Sequence, residues 1–271
     1  MRLNCRRSGL VTVVALLLVG SFTQAADDTT FTYHLVYTEP GLSLHKEMFM
    51  LPATYSDKYN EMQTEAVFQM SAKHRIFNTR FYFAYTQISF WQAYDHDNSA
   101  PFRETNYNPE IFYRFKTSSY GSGRYGADVG IEHESNGQRV PASRSWNLLY
   151  FSPHYYTSDF LIKLKLRYRI PEDEKESPDS PEGDDNPDIT DYLGYTDASL
   201  YYRFWDTHLL HLKLRGFIGH GRGNATITYS FPIPRTHLSY LCVRLFHGYG
   251  ESLVDYNEKL TRFGVGVMFT R

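Results

Sequence analysis

The sequence predicts an all-β protein, a 12-stranded antiparallel transmembrane β-barrel, and three observations carry that prediction. Aromatic residues, among them 23 Tyr and 19 Phe, make up 17% of the 271 residues, yet the mean hydropathy is that of a water-soluble chain. A helical membrane protein needs spans of ~20 apolar residues. A barrel does not, because its strands alternate lipid-facing and lumen-facing side chains and keep the average polarity high. The second observation is the segment from Phe160 to Ile170, where every even position is apolar or aromatic and Lys163, Lys165, Arg167 and Arg169 fill odd ones. Strands of soluble sheets usually run to ~5–6 residues, whereas this period-two run is long enough to cross a bilayer when tilted. The third is an export signal at the N-terminus.

That signal comprises Arg2, Arg6 and Arg7, the apolar stretch from Leu10 to Val19 and the small-residue site Thr23-Gln24-Ala25. It reads as a cleaved signal peptide over residues 1–25, with a mature chain expected to start at Ala26. Its loss moves the formal net charge from −2 to −5, since it carries three arginines and no acids. An acidic chain of this kind is not expected to have a nucleic-acid partner. Cys5 leaves with the signal, so Cys242 is left without an intramolecular disulfide partner, and a cysteine-based zinc site is excluded.

Residues 26–47 are expected to form an N-terminal periplasmic segment and 48–271 the barrel. Twelve strand-like segments follow in order, at 48–54, 65–77, 80–95, 106–116, 126–137, 145–158, 160–171, 192–205, 208–220, 223–234, 237–250 and 260–271. The 208–220 segment repeats the alternation in Leu210-His211-Leu212-Lys213-Leu214-Arg215. An even number of strands closes without an unpaired edge in lipid. Connections at 55–64, 96–105, 138–144, 172–191 and 251–259 are long and are expected outside, while 78–79, 206–207 and 235–236 are tight periplasmic turns. The 117–125 connection is long for a periplasmic turn and 221–222 short for an outer loop. The loop 172–191 carries nine acids up to Asp188 against Lys175, with four prolines around them. A solvated external loop is the expected reading, with a divalent-ion or lipopolysaccharide contact as the alternative.

The strand at 126–137 holds the candidate chemistry. Asp128, Glu132 and Glu134 share one face; Val129, Ile131, His133 and Ser135 share the other. The acidic face must look into the polar lumen, so His133 and Ser135 look toward lipid. Two residues apart on one face, their Cα atoms stand ~7 Å from each other, and the imidazole can act as general base on the serine hydroxyl. A third group must hold the imidazole, and the next strand offers Asn147 in phase with Leu149 and Phe151. Spacing alone leaves two readings open, a catalytic pair or a chance His-x-Ser beside an Asn136-Gly137 turn. The sequence has no G-x-S-x-G, H-E-x-x-H or G-x-x-x-x-G-K-[ST] motif.

Glu132-His133-Glu134-Ser135-Asn136-Gly137 followed by Ser143-Arg144-Ser145-Trp146-Asn147 resembles the active-site hairpin of the outer membrane phospholipase A family. Pro101 to Tyr107, Asp185 to Thr190, Gly248 to Leu253 and Gly264 to Met268 resemble that family as well, so the likeness spans most of residues 80–271. The resemblance implies an outer-membrane phospholipase A1/A2, also a lysophospholipase, acting on the acyl esters of membrane phospholipids. Ser135 is then the nucleophile, His133 the base and Asn147 the residue that orients His133. It also implies a Ca2+ ion near the developing oxyanion, held by the Ser143 side chain, the Gln138 carbonyl and the Ala100 carbonyl of a second subunit. The family usually has arginine at the Gln138 position and serine at the Ala100 position; both ligands are backbone oxygens, which any residue provides. A site completed by two chains makes the active form a homodimer. Gln92, if it shares a lipid-facing set with Ile88 and Phe90, is a polar amide available to a partner barrel.

The competing expectation is a transport or structural barrel, in which Lys163, Lys165, Arg167, Arg169, Lys213 and Arg215 either favour anions or pair with Asp128, Glu132 and Glu134 and fill the lumen. An active site on the outer face toward the outer leaflet suits a substrate that diffuses in the bilayer.

Overall fold

The twelve expected strands all form. The computed structural model describes residues 33, 35, 36, 41–59, 64–177, 180, 182–205, 207–216, 222–234, 236 and 239–270; the expected signal peptide and residues 26–32 lie outside that set. A two-residue strand β1 (Leu42–Ser43) precedes β2 (Met48–Ser56), β3 (Ala66–Arg75), β4 (Phe81–Trp91) and β5 (Phe102–Arg114). Then come β6 (Ser118–Tyr120), β7 (Gly123–Ser135), β8 (Ser145–Tyr156), β9 (Phe160–Ile170) and a short helix α1 (Ile189–Leu193). The chain ends with β10 (Thr196–Phe204), β11 (His208–Arg215), β12 (Asn224–Pro232), β13 (Tyr240–Tyr249) and β14 (Lys259–Thr270). Every long strand pairs antiparallel with its neighbours, and β2 pairs both β3 and β14, so the ring closes.

One misfit of connection length has a local cause. The long 117–125 connection contains β6, which folds back as a hairpin on the start of β7, Ser118 opposite Tyr125. The end of the expected 208–220 segment and the start of the short 221–222 connection fall on residues 217–221, which lie outside the described residues. In the structure β11 ends at Arg215, opposite Asn224, and Gly216 leaves the ladder at φ +70°, a conformation that glycine adopts without a Cβ penalty.

The alternation holds around the ring. Outward-facing Phe83, Ile131, Leu149, Phe151, Ile162 and Phe263 are exposed, as lipid-facing side chains are in an isolated barrel. Inward-facing positions are polar and buried. Arg114 grips Asp128 at 2.8 Å through both Nε and Nη2, Lys165 bridges Glu110 and Glu132, and Arg167 joins Glu132 to Asp197. Arg169 pairs with Asp184, Lys213 with Asp197 and Arg215 with Glu134. These cations therefore fill the lumen as ion pairs. The expected periplasmic segment ends inside the barrel: Leu44, His45 and Glu47 are buried, His45 reaches Glu110 at 3.0 Å and Glu47 reaches His211 at 2.7 Å.

The phase expected for Gln92 is not the one observed. Tyr82, Ala84, Thr86 and Phe90 are buried on the lumen side, with Phe90 lying under the guanidinium groups of Arg103 and Arg262. The outward set is Phe81, Phe83 and Tyr85, with Gln87 next on that face. Gln92 lies past the end of β4, where its N–H donates to the Pro101 carbonyl at 3.0 Å. A register shift at Phe90/Trp91 breaks the simple alternation just before it.

Candidate active site

β7 and β8 form a twelve-pair ladder that places His133 directly opposite Asn147 and Ser135 opposite Ser145. The lumen face of β7 is fixed by burial of Asp128 and Glu132 against arginine and lysine, and a one-residue slip would carry those charges into lipid. Pinning that face pins the other, so His133 and Ser135 join exposed Val129 and Ile131, and Asn147 joins Leu149 and Phe151. The three candidate residues are half-buried. His133 Nδ1 lies 2.9 Å from Asn147 Oδ1. With Nδ1–H donating to that oxygen, Nε2 carries the free lone pair that a general base needs.

Asn147 is itself held. Its Nδ2 donates to Glu172 Oε1 at 3.0 Å, so the amide is bound at both ends. The backbone carbonyl of His133 accepts from Asn108 Nδ2 at 2.9 Å. Beneath the site Trp146 is fully buried, its Nε1 donating to Glu134 at 2.8 Å, and packs with Leu148, Ile189, Leu193, Leu253 and Tyr256. This cluster ties the hairpin to α1 and to the 250–258 loop.

The loop after Ser135 is knitted by Asn136, which is 3% exposed. Its Oδ1 accepts from the N–H groups of Gln138 (3.2 Å) and Arg144 (2.9 Å), and its Nδ2 donates to the Ala142 carbonyl at 2.8 Å. Gly137 follows at φ +64°, a left-handed conformation that disfavours any residue with a Cβ. Ser143 Oγ donates to Asp185 Oδ2 at 2.5 Å, and Asp185 pairs with Lys175. Asn186, fully buried, accepts from the Ser145 N–H at 2.9 Å. The acidic loop expected to be solvated therefore folds back on the hairpin through Glu172, Asp185 and Asn186.

Among the residues expected to ligate a metal, Ser143 and Gln138 share this loop. Ala100 lies in the β4–β5 hairpin, at φ +47°, its carbonyl accepting from Trp91 Nε1 at 2.9 Å. It belongs to a different hairpin from Ser143 and Gln138. The Ser143 hydroxyl and the Asp185 carboxylate, in contact with each other, are oxygen donors of the kind calcium prefers, and Gln138 is exposed in the same loop as Ser143. No group of three or more His, Cys, Asp and Glu poised to hold a metal occurs among the described residues; the candidate donors are hydroxyl and carbonyl oxygens instead. Glu172, Asn136 and Asn186 were not singled out from the sequence. Only an acid-rich loop following an Ile-Pro strand end pointed toward the first.

Two other segments that resemble the family resolve into contacts around this end of the barrel. Arg103 bridges Glu65, at 2.5 Å, and Ser252, at 3.1 Å. Gly250, at φ +67°, leaves no room for a Cβ, which would collide with Leu193 Cδ2. In β14, Gly266 likewise lets the backbone approach the Met50 carbonyl.

A family model described as Phospholipase A1 matches residues 32–269. The Phospholipase A1 of Escherichia coli is 37% identical over 245 residues, covering 88% of this chain and 79% of that protein. The Klebsiella pneumoniae Phospholipase A1 is 35% identical over 243 residues, covering 87% and 79%. Among solved structures, outer membrane phospholipase A from Escherichia coli superposes with a TM-score of 0.75 at 32% identity, covering 84% of this chain and 98% of that one. A Salmonella typhi outer membrane phospholipase, solved as a dimer with bound calcium, gives a TM-score of 0.75 at 30% identity, covering 88% and 96%.

Proposed function

The chain belongs to the phospholipase A1 family, and we propose that Ser135, His133 and Asn147 carry its reaction. The protein is a phospholipase, a hydrolase of phospholipid carboxylic esters on a β-barrel of the Gram-negative outer membrane. The observation that supports the residue assignment is the 2.9 Å contact between His133 Nδ1 and Asn147 Oδ1 on the lipid-facing side of the β7–β8 hairpin, with Ser135 on that face.

In the proposed reaction an acyl ester of a bilayer phospholipid reaches the outer face laterally. Ser135 Oγ attacks the ester carbonyl as His133 Nε2 takes its proton, and Asn147 Oδ1 accepts the Nδ1–H of the imidazolium. His133 then returns the proton to the departing lysophospholipid alkoxide, leaving Ser135 acylated. Water, deprotonated by His133, attacks the acyl-enzyme; fatty acid leaves and Ser135 is restored. Asparagine supplies no charge to the imidazolium, but an unpaired carboxylate beside lipid would be costly to desolvate.

We extend calcium to this chain because a relative was solved with it and because the donors around Ser143 suit it. When bound by the Ser143 hydroxyl and the Gln138 carbonyl, with the Ala100 carbonyl of a second subunit, calcium supplies positive charge for the developing oxyanion. Two chains then complete one site, and the active form is a homodimer; the Salmonella typhi relative was solved as a dimer with bound calcium. The outward amide on β4 is Gln87, which donates to Ser89 Oγ at 3.1 Å and accepts from Tyr85 at 3.0 Å; it is suited to a polar contact across such an interface. Phospholipids of the outer leaflet are the substrate. A pore has less support, since Lys165, Arg167, Arg169, Lys213 and Arg215 are taken up in ion pairs.

A calcium-titrated assay on the purified protein tests the assignment. Wild type releases fatty acid and lysophospholipid in proportion to calcium occupancy, and Ser135→Ala releases neither while retaining the folded barrel. Full activity in Ser135→Ala overturns it.

A further inference from the structure

We propose that Glu172 is a positioning residue that extends the catalytic group to Ser135–His133–Asn147–Glu172 and sets the direction of the Asn147 amide. The inference rests on the assignment of Asn147 made above. Asn147 pairs with Ile170 across the β8–β9 ladder, and Ile170 belongs to the outward, even-numbered set of β9. Pro171 ends the strand, and Glu172, two residues beyond Ile170, stays on that side as the diagonal neighbour of Asn147. Its Oε1 accepts from Asn147 Nδ2 at 3.0 Å, while Asn147 Oδ1 faces His133 Nδ1 at 2.9 Å.

The chemistry follows from the asymmetry of an amide. A primary amide presents an acceptor oxygen on one side and a donor NH2 on the other, and a half-turn about its terminal torsion exchanges them. If the NH2 faced His133, Nδ1 would have to be the acceptor and the ring proton would move to Nε2. Nε2 could then no longer take the Ser135 proton. A carboxylate accepts only, so Glu172 rewards one amide orientation and opposes the other, where two acceptors would meet. The amide also relays polarisation: donation to an anion makes its oxygen a stronger acceptor for the imidazolium that forms during attack. A carboxylate one residue removed thus restores part of what a directly bonded aspartate would provide, at the edge of the acidic loop where its second oxygen can be hydrated.

The competing view is that Glu172 is one more acid in a loop of nine and acts only on loop structure. Steady-state kinetics of the full-length enzyme in calcium-containing mixed micelles separates the two, using Glu172→Ala, Glu172→Gln, Asn147→Ala and the Glu172→Ala/Asn147→Ala double variant. Glu172→Ala is expected to lower kcat about tenfold with KM unchanged, while Glu172→Gln, which keeps an acceptor oxygen without the charge, recovers part of the loss. In the Asn147→Ala background, Glu172→Ala is expected to cost less than about twofold, because the group it positions is gone. The same loss with and without Asn147, or a change confined to KM, overturns the proposal. Full activity in both Glu172 variants also overturns it. Full activity in Asn147→Ala overturns instead the underlying assignment of Asn147, an outcome visible in that single variant alone.

Discussion

His133 and Asn147 face each other across a ladder whose other side is nailed down by charge, and the consequences begin with these two side chains. The 2.9 Å contact fixes which ring nitrogen bears the proton, because the Asn147 oxygen can only accept from Nδ1–H. Asn147→Ala should therefore lower kcat by about 10–100-fold while KM changes little, because substrate binding does not use the amide. Measurement of kcat and KM over a micellar substrate series checks this. Ser135 needs no unusual backbone: it is an ordinary strand residue, unlike a nucleophile on a strained elbow, and its exposure to lipid comes from strand phase alone.

At the scale of the element, the 136–144 loop depends on one buried side chain. Asn136 bonds two backbone N–H groups and one carbonyl of the loop, and each such hydrogen bond contributes roughly 0.5–1.5 kcal/mol. Asn136→Ala should loosen the loop that carries Gln138 and Ser143, raising the calcium concentration for half-maximal activity, as a calcium titration of hydrolysis would report. The 250–258 loop responds to acid. Burial pushes the Asp255 carboxyl up, but Arg103, the Ser252 and Tyr59 hydroxyls and Lys58 outweigh it and hold it below the ordinary aspartate value. A lowered folded pKa contributes stability above the unfolded value that is lost as pH falls through the folded one, here below about pH 4. Glu251 in the same loop runs the other way, its carboxyl raised by burial despite Arg262, so acid relieves it. Amide protection in 250–258, taken relative to the intrinsic exchange rate at each pH, should fall on acidification below about pH 4 in wild type, and Asp255→Asn should already show low protection at neutral pH with a smaller further change.

For the whole molecule, the lumen works as a polar core. Arg114 and Asp128, both about 2% exposed or less, are hydrogen-bonded through two N–H groups. Removing one partner of such a pair strands a buried charge, at a cost of ~3–5 kcal/mol. Arg114→Ala should lower the barrel's unfolding free energy by that amount in guanidinium titrations in detergent. Arg114→Met/Asp128→Leu together should recover much of it. The same rigid interior keeps the outer face in register, which is how a catalytic group of ordinary strand residues stays aligned without a cleft around it.

Strand phase is a local property of period two, so the sequence by itself determined the ring of twelve strands, the inward Asp128, Glu132 and Glu134, and the outward His133, Ser135 and Asn147. Gln92 escaped that logic because β4 carries aromatic and apolar side chains on both faces, so its alternation does not say which face is inward, and it is the even-numbered set Tyr82, Ala84, Thr86 and Phe90 that faces the lumen; β11 pairs only as far as Arg215, before Gly216 at φ +70°. Only the tertiary structure decided how the acidic loop returns to the hairpin: Asn147 with Glu172, Ser143 with Asp185, and Ser145 with Asn186 are contacts between residues 25 to 42 apart. Such contacts follow from where the β8–β9 ladder ends and how α1 packs under Trp146, and no periodicity in the chain encodes them. The face that meets lipid is thus written in the strand, while the groups that hold its chemistry in place are set by the loops that close over it.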